Sequence, residues 1–220
     1  MHLRIYLLHT DLSAWENAEE DLMQTLYARV DETRRAKADR IKTPKARLTS
    51  LAAGLLLQKM LRDGMPTKCD EKPVRLTIEE MLLEIEEPLP MQFAFGENGK
   101  PYLKDSELHF SLSHSGDFIL LAVSDQEIGA DIQEKQPKDV VKLANRFFAP
   151  EEARYLGTLP LESQRDYFYH LWTAKEACTK LLGDALVQHL ADDIESAKDV
   201  LFLELKAVEN YSAVVCYSTT

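Results

Sequence analysis

Two acidic residues far apart in the chain are candidate ligands for a cation. The first is Asp131. Residues 128–133 (Ile-Gly-Ala-Asp-Ile-Gln) alternate apolar and polar side chains and predict a strand, so Gly129, Asp131 and Gln133 share one face. A carboxylate and an amide on one face can present oxygen atoms to a hard cation such as Mg²⁺. Gly129 leaves room for a ligand or another backbone. The alternative is a turn aspartate that leads into a polar edge strand.

The second acid is Glu176, in a segment (residues 162–182) whose apolar spacing predicts a long helix. Trp172 and Glu176 fall on one stripe of that helix, which places the carboxylate at the margin of a buried face. A charge near a core is costly unless it has a partner. A metal ion shared with Asp131 would supply one, and so would an ion pair with Lys180, four residues later.

Residues 29–47 form a basic segment in an acidic chain. The segment contains eight Lys and Arg residues against three acids, whereas the 220-residue chain carries a formal net charge of −11. This contrast indicates either a local anionic ligand or an acidic partner, and a solvated helix face is the alternative. The overall negative charge disfavours general binding to nucleic acid.

The composition is that of a globular protein, with 45% hydrophobic and 29% charged residues. The three cysteines are widely spaced and odd in number, which fits a reducing cytoplasm and disfavours a disulfide framework or a cysteine-based zinc site. The first ten residues lack the pattern of a signal peptide. Since no apolar run approaches the length of a membrane span, we expect none.

The pattern of the elements predicts an α+β protein. Strands are predicted at residues 3–9 and in a meander of residues 108–112, 118–123 and 128–133, with a closing hairpin of residues 201–206 and 212–217. Helices are predicted at residues 14–28, 47–62, 137–148, from 149 onward, and 162–182, the last ending at Gly183. The two halves, residues 1–115 and 116–220, would each pair helices with a small antiparallel sheet.

Several motifs occur in a fixed order along the chain. They are Gly-Lys-Pro at residues 99–101, Phe-Ser-Leu-Ser-His-Ser at 110–115, Gly-Ala-Asp-Ile at 129–132, Arg-Phe-Phe at 146–148 followed by Glu151 and Glu152, and the run from Tyr167 through Trp172 to Lys180; Ser-Leu-Ala-Ala-Gly at 50–54 precedes them. Together they resemble the paired signature of the 4′-phosphopantetheinyl transferases of the surfactin-synthetase-activating (Sfp) type.

The resemblance implies a monomer of two lobes related by a pseudo-twofold axis. Residues 1–115 would form the N-terminal lobe with the basic coenzyme A-binding segment, and residues 116–220 the C-terminal lobe with the metal site. Such a cytoplasmic enzyme binds coenzyme A and Mg²⁺ at the seam and transfers phosphopantetheine to a serine of an apo acyl or peptidyl carrier protein. Adenosine 3′,5′-bisphosphate is released, and neither nucleic acid nor a membrane is a partner.

The resemblance also implies roles for individual residues. The metal would be held by Asp131, Gln133 and Glu176. Coenzyme A would be bound by Arg34, Lys37, Arg47, Lys100, Pro101, Ser113, His114 and Lys180. Catalysis would involve Asp131, Glu176 as the base, with Glu151 as the alternate, and Lys175 on the departing nucleotide. A turn histidine is the alternative for His114, and a solvated helix lysine for Lys175. The family commonly has Glu where this chain has Gln133, so we expect weaker metal binding and an active enzyme.

Two other functions compete with transfer. A non-catalytic module would bind coenzyme A or a carrier, with Gln133 marking a lost metal site. An unrelated Mg²⁺-dependent phosphoesterase would share the acids without needing the Gly-Lys-Pro and Ser-His segments.

Overall fold

A computed structural model of the protein describes residues 1–11, 19–183, 190–194, 197, 199–206 and 208–219. The strands in this part are β1 (Leu3–His9), β2 (Val74–Thr77), β3 (Phe93–Phe95), β4 (Pro101–Leu103), β5 (His109–Ser115), β6 (Phe118–Ser124), β7 (Ile128–Glu134), β8 (Val200–Glu204) and β9 (Tyr211–Ser218). The helices are α1 (Glu19–Arg29), α2 (Glu32–Asp39), α3 (Pro44–Asp63), α4 (Ile78–Glu84), α5 (Val140–Phe147), α6 (Pro150–Thr158) and α7 (Leu161–Leu182).

Two sheets pack face to face between helices. The first has the strand order β2-β1-β6-β5, in which only the β1–β2 pair is parallel. The second is antiparallel with the order β7-β9-β8, and β3 and β4 form a separate hairpin. The expected α+β class, with small and mainly antiparallel sheets packed by helices, is confirmed.

The alternation of side chains along the strands builds the core. Leu8 on β1 faces the helices of the first lobe, whereas its neighbour Leu7 packs with Ile132 of β7 between the two sheets. On the outer face of the second sheet, Val214 of β9 packs against Ala177 of α7. The order of layers is therefore helices, first sheet, second sheet and α7.

The two long helices differ in how well their ends were predicted. α3 begins three residues before the predicted start, with Pro44 in its first turn, where proline costs no hydrogen bond. α7 ends at Gly183, which has a left-handed φ of 71° and donates its backbone N–H to the carbonyl of Thr179. The helix predicted over residues 14–28 is observed as α1 from Glu19, and residues 14–18 lie outside the described part. No helix in the described part has an apolar stretch long enough to cross a bilayer.

The expected three-stranded meander is wrong. β5 and β6 pair as predicted, but both edges of β6 are occupied, by β1 and β5, so β7 has no edge of β6 to join and pairs with β9 instead. The predicted division between residues 115 and 116 would also separate β5 from β6, which pair along their full length. The strand pairing instead changes sheet in the short link at residues 125–127.

Candidate active site

A close approach of α7 to β7 brings the two predicted acids together. Gly129 and Asp131 lie on the face of β7 that contacts α7, and a β-carbon on Gly129 would lie 1.9 Å from the carbonyl oxygen of Ala177. Only glycine permits this distance. Glu176 directly precedes Ala177 in α7, and its carboxylate meets the side chains of β7.

The carboxylates of Asp131 and Glu176 are linked by the amide of Gln133. Nε2 of Gln133 donates to Oδ2 of Asp131 at 3.0 Å and to Oε2 of Glu176 at 2.9 Å. The indole Nε1 of Trp172 donates to the other oxygen of Glu176 at 2.9 Å. Glu176 thus lies beneath Trp172, as predicted, and the three residues expected to hold a metal form one cluster.

Asp131 is fully buried and its second oxygen is also occupied. Lys180 Nζ lies 2.6 Å from Oδ1, and the hydroxyl of Ser113 donates to the same atom at 2.5 Å. Lys180 also donates to the carbonyl of Ala130 at 3.2 Å. The alternative ion pair between Glu176 and Lys180 is not formed in the described part of the chain, because Lys180 pairs with Asp131.

The electrostatics of the cluster favour a proton or a cation on Glu176. Burial and the neighbouring carboxylate of Asp131 raise the pKa of Glu176 to about 7 from its ordinary 4.5. Burial, the larger cause, and the like charge of Asp131 both disfavour the ionised form of Glu176, although the charge of Lys180 opposes them.

The donor set of the cluster fits a magnesium ion that is completed by ligand phosphates. Two carboxylates and one amide supply oxygen donors, although the amide must turn its oxygen inward to do so. The described residues contain no group of three or more His, Cys, Asp or Glu side chains that could hold a metal. Mg²⁺ is commonly held by one or two carboxylates together with the phosphates of a substrate.

A cavity of about 950 Å³ begins beside this cluster, and Lys180 belongs to both. Its walls come from α2, α3, the β3–β4 hairpin, β5 and the end of α7. Six of the residues predicted to bind coenzyme A line it: Arg34, Lys37, Lys100, Pro101, His114 and Lys180. The structure therefore gathers most of the predicted binding residues, from positions 34 to 180, around one space.

Two cations in the cavity wall lack an anionic partner. The side chains of Arg34 and Lys37 make no hydrogen bond or ion pair with any residue of the described part. Burial lowers the pKa of both, and for Lys37 the charge of Arg34 lowers it further. The charge of Asp31 opposes this lowering at Arg34, but no ion pair holds either cation in the described part, and such closely spaced positive charges favour an anionic ligand.

Other charged groups of the cavity are already engaged. Lys100 is bound to the carboxylate of Glu127 and donates to the carbonyl of Leu181 at 3.1 Å. Lys45 pairs with Asp117 at 3.1 Å. Burial, followed by the charges of Lys180 and Lys37, lowers the pKa of His114, so the neutral imidazole would offer one N–H donor.

Three residues predicted for the site do not line the cavity. Ser113 is buried against Asp131 and does not line the cavity. Arg47 donates through Nη2 to the carbonyl of Ile41 at 2.9 Å and closes the turn before α3. The third, Lys175, lies in the core.

Lys175 is 1% exposed, and its Nζ lies 2.9 Å from Oε2 of Glu152, which is itself 6% exposed. It also donates to the carbonyl of Asp192 and lies over the ring of Phe148. Successive residues of a helix point about 100° apart, so Lys175 faces α6 whereas Glu176 faces β7. The solvated alternative is wrong as well. Glu151, the alternate base, is 69% exposed beside Arg154 and lies outside the cluster.

Some cavity residues have no recognisable signal in the sequence. Phe93 and Phe95 of the β3–β4 hairpin form an apolar wall, and Asp31 and Ser50 each leave a buried side-chain oxygen without a hydrogen bond. The strands of that hairpin have three residues each, too few for a periodic pattern. Asp31 does have a sequence signal for another role, since aspartate is favoured at the start of a helix. Its side chain accepts a hydrogen bond from the backbone N–H of Arg34 and caps α2.

Comparison with known proteins agrees with this geometry. Residues 127–210, which contain the metal-binding candidates, match the family model of the 4′-phosphopantetheinyl transferase superfamily. The chain is 40% identical over 132 residues to the 4′-phosphopantetheinyl transferase psf-1 of Bacillus pumilus, covering 58% of this chain and 54% of that protein. It is 39% identical over 97 residues to Sfp of Bacillus subtilis, covering 44% and 43%.

A third relative is covered more fully. The 4′-phosphopantetheinyl transferase AcpT of Escherichia coli K12 is 36% identical over 137 residues, which is 60% of this chain and 68% of AcpT. The chain spans about half the length of the two Bacillus relatives that it matches.

Proposed function

The chain belongs to the 4′-phosphopantetheinyl transferase superfamily, and on that premise we propose that it transfers 4′-phosphopantetheine from coenzyme A to a serine of an apo acyl or peptidyl carrier protein. The observation that carries the proposal is the junction at Lys180 between a cavity with unpaired cations and the carboxylates of Asp131 and Glu176. A diphosphate ligand needs both parts: positive charge for binding and a cation site for reaction.

Coenzyme A would lie in the cavity with its phosphates against the cations. It carries a 3′-phosphate and a diphosphate, and Arg34 and Lys37 are free to pair with the first of these charged groups. Lys180 stands next to Asp131 and would hold the diphosphate at the reacting end. His114 would donate one hydrogen bond to a phosphate oxygen, and Lys100 and Pro101 would flank the nucleotide.

Asp131, Glu176 and Gln133 would hold magnesium. When bound, Mg²⁺ would neutralise the charge that develops on the diphosphate as its bond breaks. To offer its oxygen, the amide of Gln133 must give up its two hydrogen bonds to the carboxylates. A neutral amide contributes no charge, so the site would bind Mg²⁺ more weakly than one with a third carboxylate.

In the transfer step, the carrier serine Oγ forms a bond to the β-phosphorus, the one that bears the pantetheine. The bond from that phosphorus to the bridging oxygen breaks, and adenosine 3′,5′-bisphosphate leaves with the electron pair. The proton of the serine hydroxyl passes to the carboxylate of Glu176. Lys180 stays close to the leaving phosphate and stabilises its charge.

Lys175 would act on stability and not on the leaving group, because its ammonium is used by Glu152 in the core. Arg47 and Ser113 do not line the cavity and would act through the turn before α3 and through Asp131, respectively.

We also propose a lobe division in the link at residues 125–127, a monomeric state and a cytoplasmic location. The strand pairing supports the division. The motif resemblance, which implies a monomer, supports the second. In the described part Cys69, Cys178 and Cys216 form no disulfide, and the wide spacing of the three cysteines in the sequence supports a reducing compartment. Light scattering after gel filtration tests the mass in solution.

The decisive experiment incubates the protein with coenzyme A and an apo carrier protein, with Mg²⁺ or with a chelator, and weighs the carrier by mass spectrometry. A phosphopantetheine increment that needs Mg²⁺ and is lost in Glu176→Gln supports the proposal. An unchanged carrier with hydrolysed coenzyme A would instead indicate the phosphoesterase. Bound but unaltered coenzyme A with an unchanged carrier, over several carriers, would indicate the binding module.

A further inference from the structure

Three alternate serines of β5 join the two sheets. Ser111 accepts a hydrogen bond from the backbone N–H of Ala130 at 2.9 Å, and Ser115 accepts one from the N–H of Glu134 at 2.9 Å. Ser113, between them, faces the same way, since residues two apart lie on one face of a strand. The three hydroxyls form a ladder along β7.

This ladder lies where two sheet edges meet. β5 is the last strand of the first sheet and β7 is the first strand of the second, and no backbone pairing joins them in the described part. Edge strands leave N–H groups that need acceptors when they are buried. Ser111 and Ser115 provide those acceptors, and the two hydrogen bonds fix the position of β7 along β5.

The middle serine acts on a side chain instead of the backbone. Its hydroxyl donates to Oδ1 of Asp131, the atom that also accepts from Lys180, whereas Oδ2 faces Gln133 and Glu176. The two oxygens of Asp131 therefore have different surroundings. Oδ1 is occupied by donors, and Oδ2 is the oxygen directed at the cation site.

Of the two donors on Oδ1, Ser113 is the permanent one. Lys180 lines the cavity and would be drawn toward a bound phosphate. Ser113 is 7% exposed, does not line the cavity and has no other side-chain partner among the hydrogen bonds it makes in the described part. When a phosphate engages Lys180, the serine hydroxyl still blocks Oδ1.

We propose that Ser113 is a positioning residue that limits Asp131 to one coordinating oxygen and so makes the site select Mg²⁺ over Ca²⁺. The inference rests on the proposed function, since that is what assigns a magnesium site to Asp131. Mg²⁺ requires a compact octahedral shell at about 2.0–2.1 Å, to which a carboxylate contributes one oxygen. Ca²⁺ accepts about 6–8 oxygens at longer distances and readily binds both oxygens of a carboxylate.

The test measures the dissociation constants of Mg²⁺ and Ca²⁺ by calorimetry on the full chain, with each metal alone and then with adenosine 3′,5′-bisphosphate present. In Ser113→Ala we expect Mg²⁺ affinity to fall about 10-fold, as is typical when a partner of a metal ligand is removed. Ca²⁺ affinity should change by less than about 2-fold, because the freed Oδ1 can join the shell of the larger ion. The Mg²⁺/Ca²⁺ preference therefore falls.

Two further variants keep the test decisive if the alanine protein fails to fold. Ser113→Thr retains the hydroxyl and should keep the preference of the unmodified protein, whereas Ser113→Cys has a weak S–H donor and should lose it. Ser212→Ala is the matched control, because Ser212 lies opposite Gln133 on β9 and its buried hydroxyl makes no hydrogen bond. It should leave both affinities unchanged.

Equal losses of Mg²⁺ and Ca²⁺ affinity in Ser113→Ala would overturn the inference and leave the serine a purely structural role. Failure of the unmodified protein to bind either cation, with or without the nucleotide, would overturn it too. Phosphopantetheine transfer, followed separately by mass spectrometry, decides the proposed function, so the two failures are distinguishable.

Discussion

Gly129 of β7 contacts the backbone of Ala177 in α7 so closely that no side chain fits between them. This contact sets the distance between strand and helix at the level of Asp131 and Glu176. Asp131 and Glu176 are 45 positions apart in sequence. Their side chains can form one cluster only because the strand and the helix lie so close together.

The first prediction concerns this contact. A methyl group at Gly129 would clash with backbone atoms, which cannot rotate away, so Gly129→Ala should lower the free energy of unfolding by at least about 3 kcal/mol. Denaturant unfolding measures the loss. Gly157→Ala is the control, because nothing lies within 4 Å of the added carbon in α6 and a helix favours Ala over Gly by about 1 kcal/mol. Equal stability of the two variants would contradict the close approach.

The second prediction concerns the two unpaired cations. Arg34→Gln and Lys37→Gln should each weaken coenzyme A binding, Arg34 by about 10-fold or more, because each removes a charge-assisted contact to phosphate. Lys37 is more exposed than Arg34 and its loss should cost less. Calorimetric titration with coenzyme A gives the affinities. Arg154→Gln, on the exposed surface of α6, is the control of equal charge. A loss as large in the control would show a general effect of charge.

The third prediction is a dependence of stability on pH. Because the pKa of Glu176 is raised from 4.5 to about 7, the folded protein binds more protons than the unfolded chain between these values. The free energy of unfolding of the metal-free protein should therefore fall by roughly 3 kcal/mol as the pH rises through that window. Glu176→Gln should abolish the fall, and Glu151→Gln should retain it. A fall that persists in Glu176→Gln would have to be assigned to another group.

The fourth prediction gives opposite signs to stability and metal affinity at position 133. Gln133→Glu replaces the donor between two carboxylates by a third negative charge, so the metal-free protein should lose about 1–3 kcal/mol. The same charge should tighten Mg²⁺ binding. Chemical unfolding and metal titration are compared with Gln136→Glu, which adds a charge three residues away. Unimproved Mg²⁺ affinity would mean that position 133 does not ligate the ion.

The fifth prediction separates stability from catalysis at Lys175. Removing one partner of a buried ion pair costs about 3–5 kcal/mol, so Lys175→Met and Glu152→Gln should each be strongly destabilising. The double variant should lose less than the sum of the two. Lys135→Met breaks the exposed pair with Asp166 and should cost about 1 kcal/mol or less. A Lys175→Met protein of normal stability that fails to transfer phosphopantetheine would contradict the structural role.

Local sequence signals were sufficient to predict the helices and the strand that carry the site residues. The apolar spacing of α3 and α7 and the alternation in β7 depend only on nearby residues, and so does the end of α7 at Gly183. The face that Asp131 and Gln133 share follows from the same alternation. These features could be predicted because helix and strand periodicity is a local property.

The partners of those elements could not be predicted from periodicity. The alternation in β7 does not tell whether it pairs with β6 or with β9, and that depends on β1, distant in sequence, which takes the second edge of β6. Lys175 and Glu176 are neighbours with similar surroundings in sequence, yet one pairs with Glu152 in the core and the other reaches the cluster. The meeting of Asp131 with Glu176 was expected from motif resemblance, since no local rule gives it.

The order of strands in the second sheet has a consequence for the nascent chain. The backbone partner of β7 is β9, which aligns Asp131 with Val214 although β9 contributes no side chain to the cluster of Asp131, Gln133 and Glu176. During synthesis, β7 can complete its backbone pairing only after residues 211–218 have left the ribosome. A growing polypeptide that stops short of β9 therefore lacks the strand that holds Asp131 in its sheet, so the cluster depends on a segment 80 positions further along the chain.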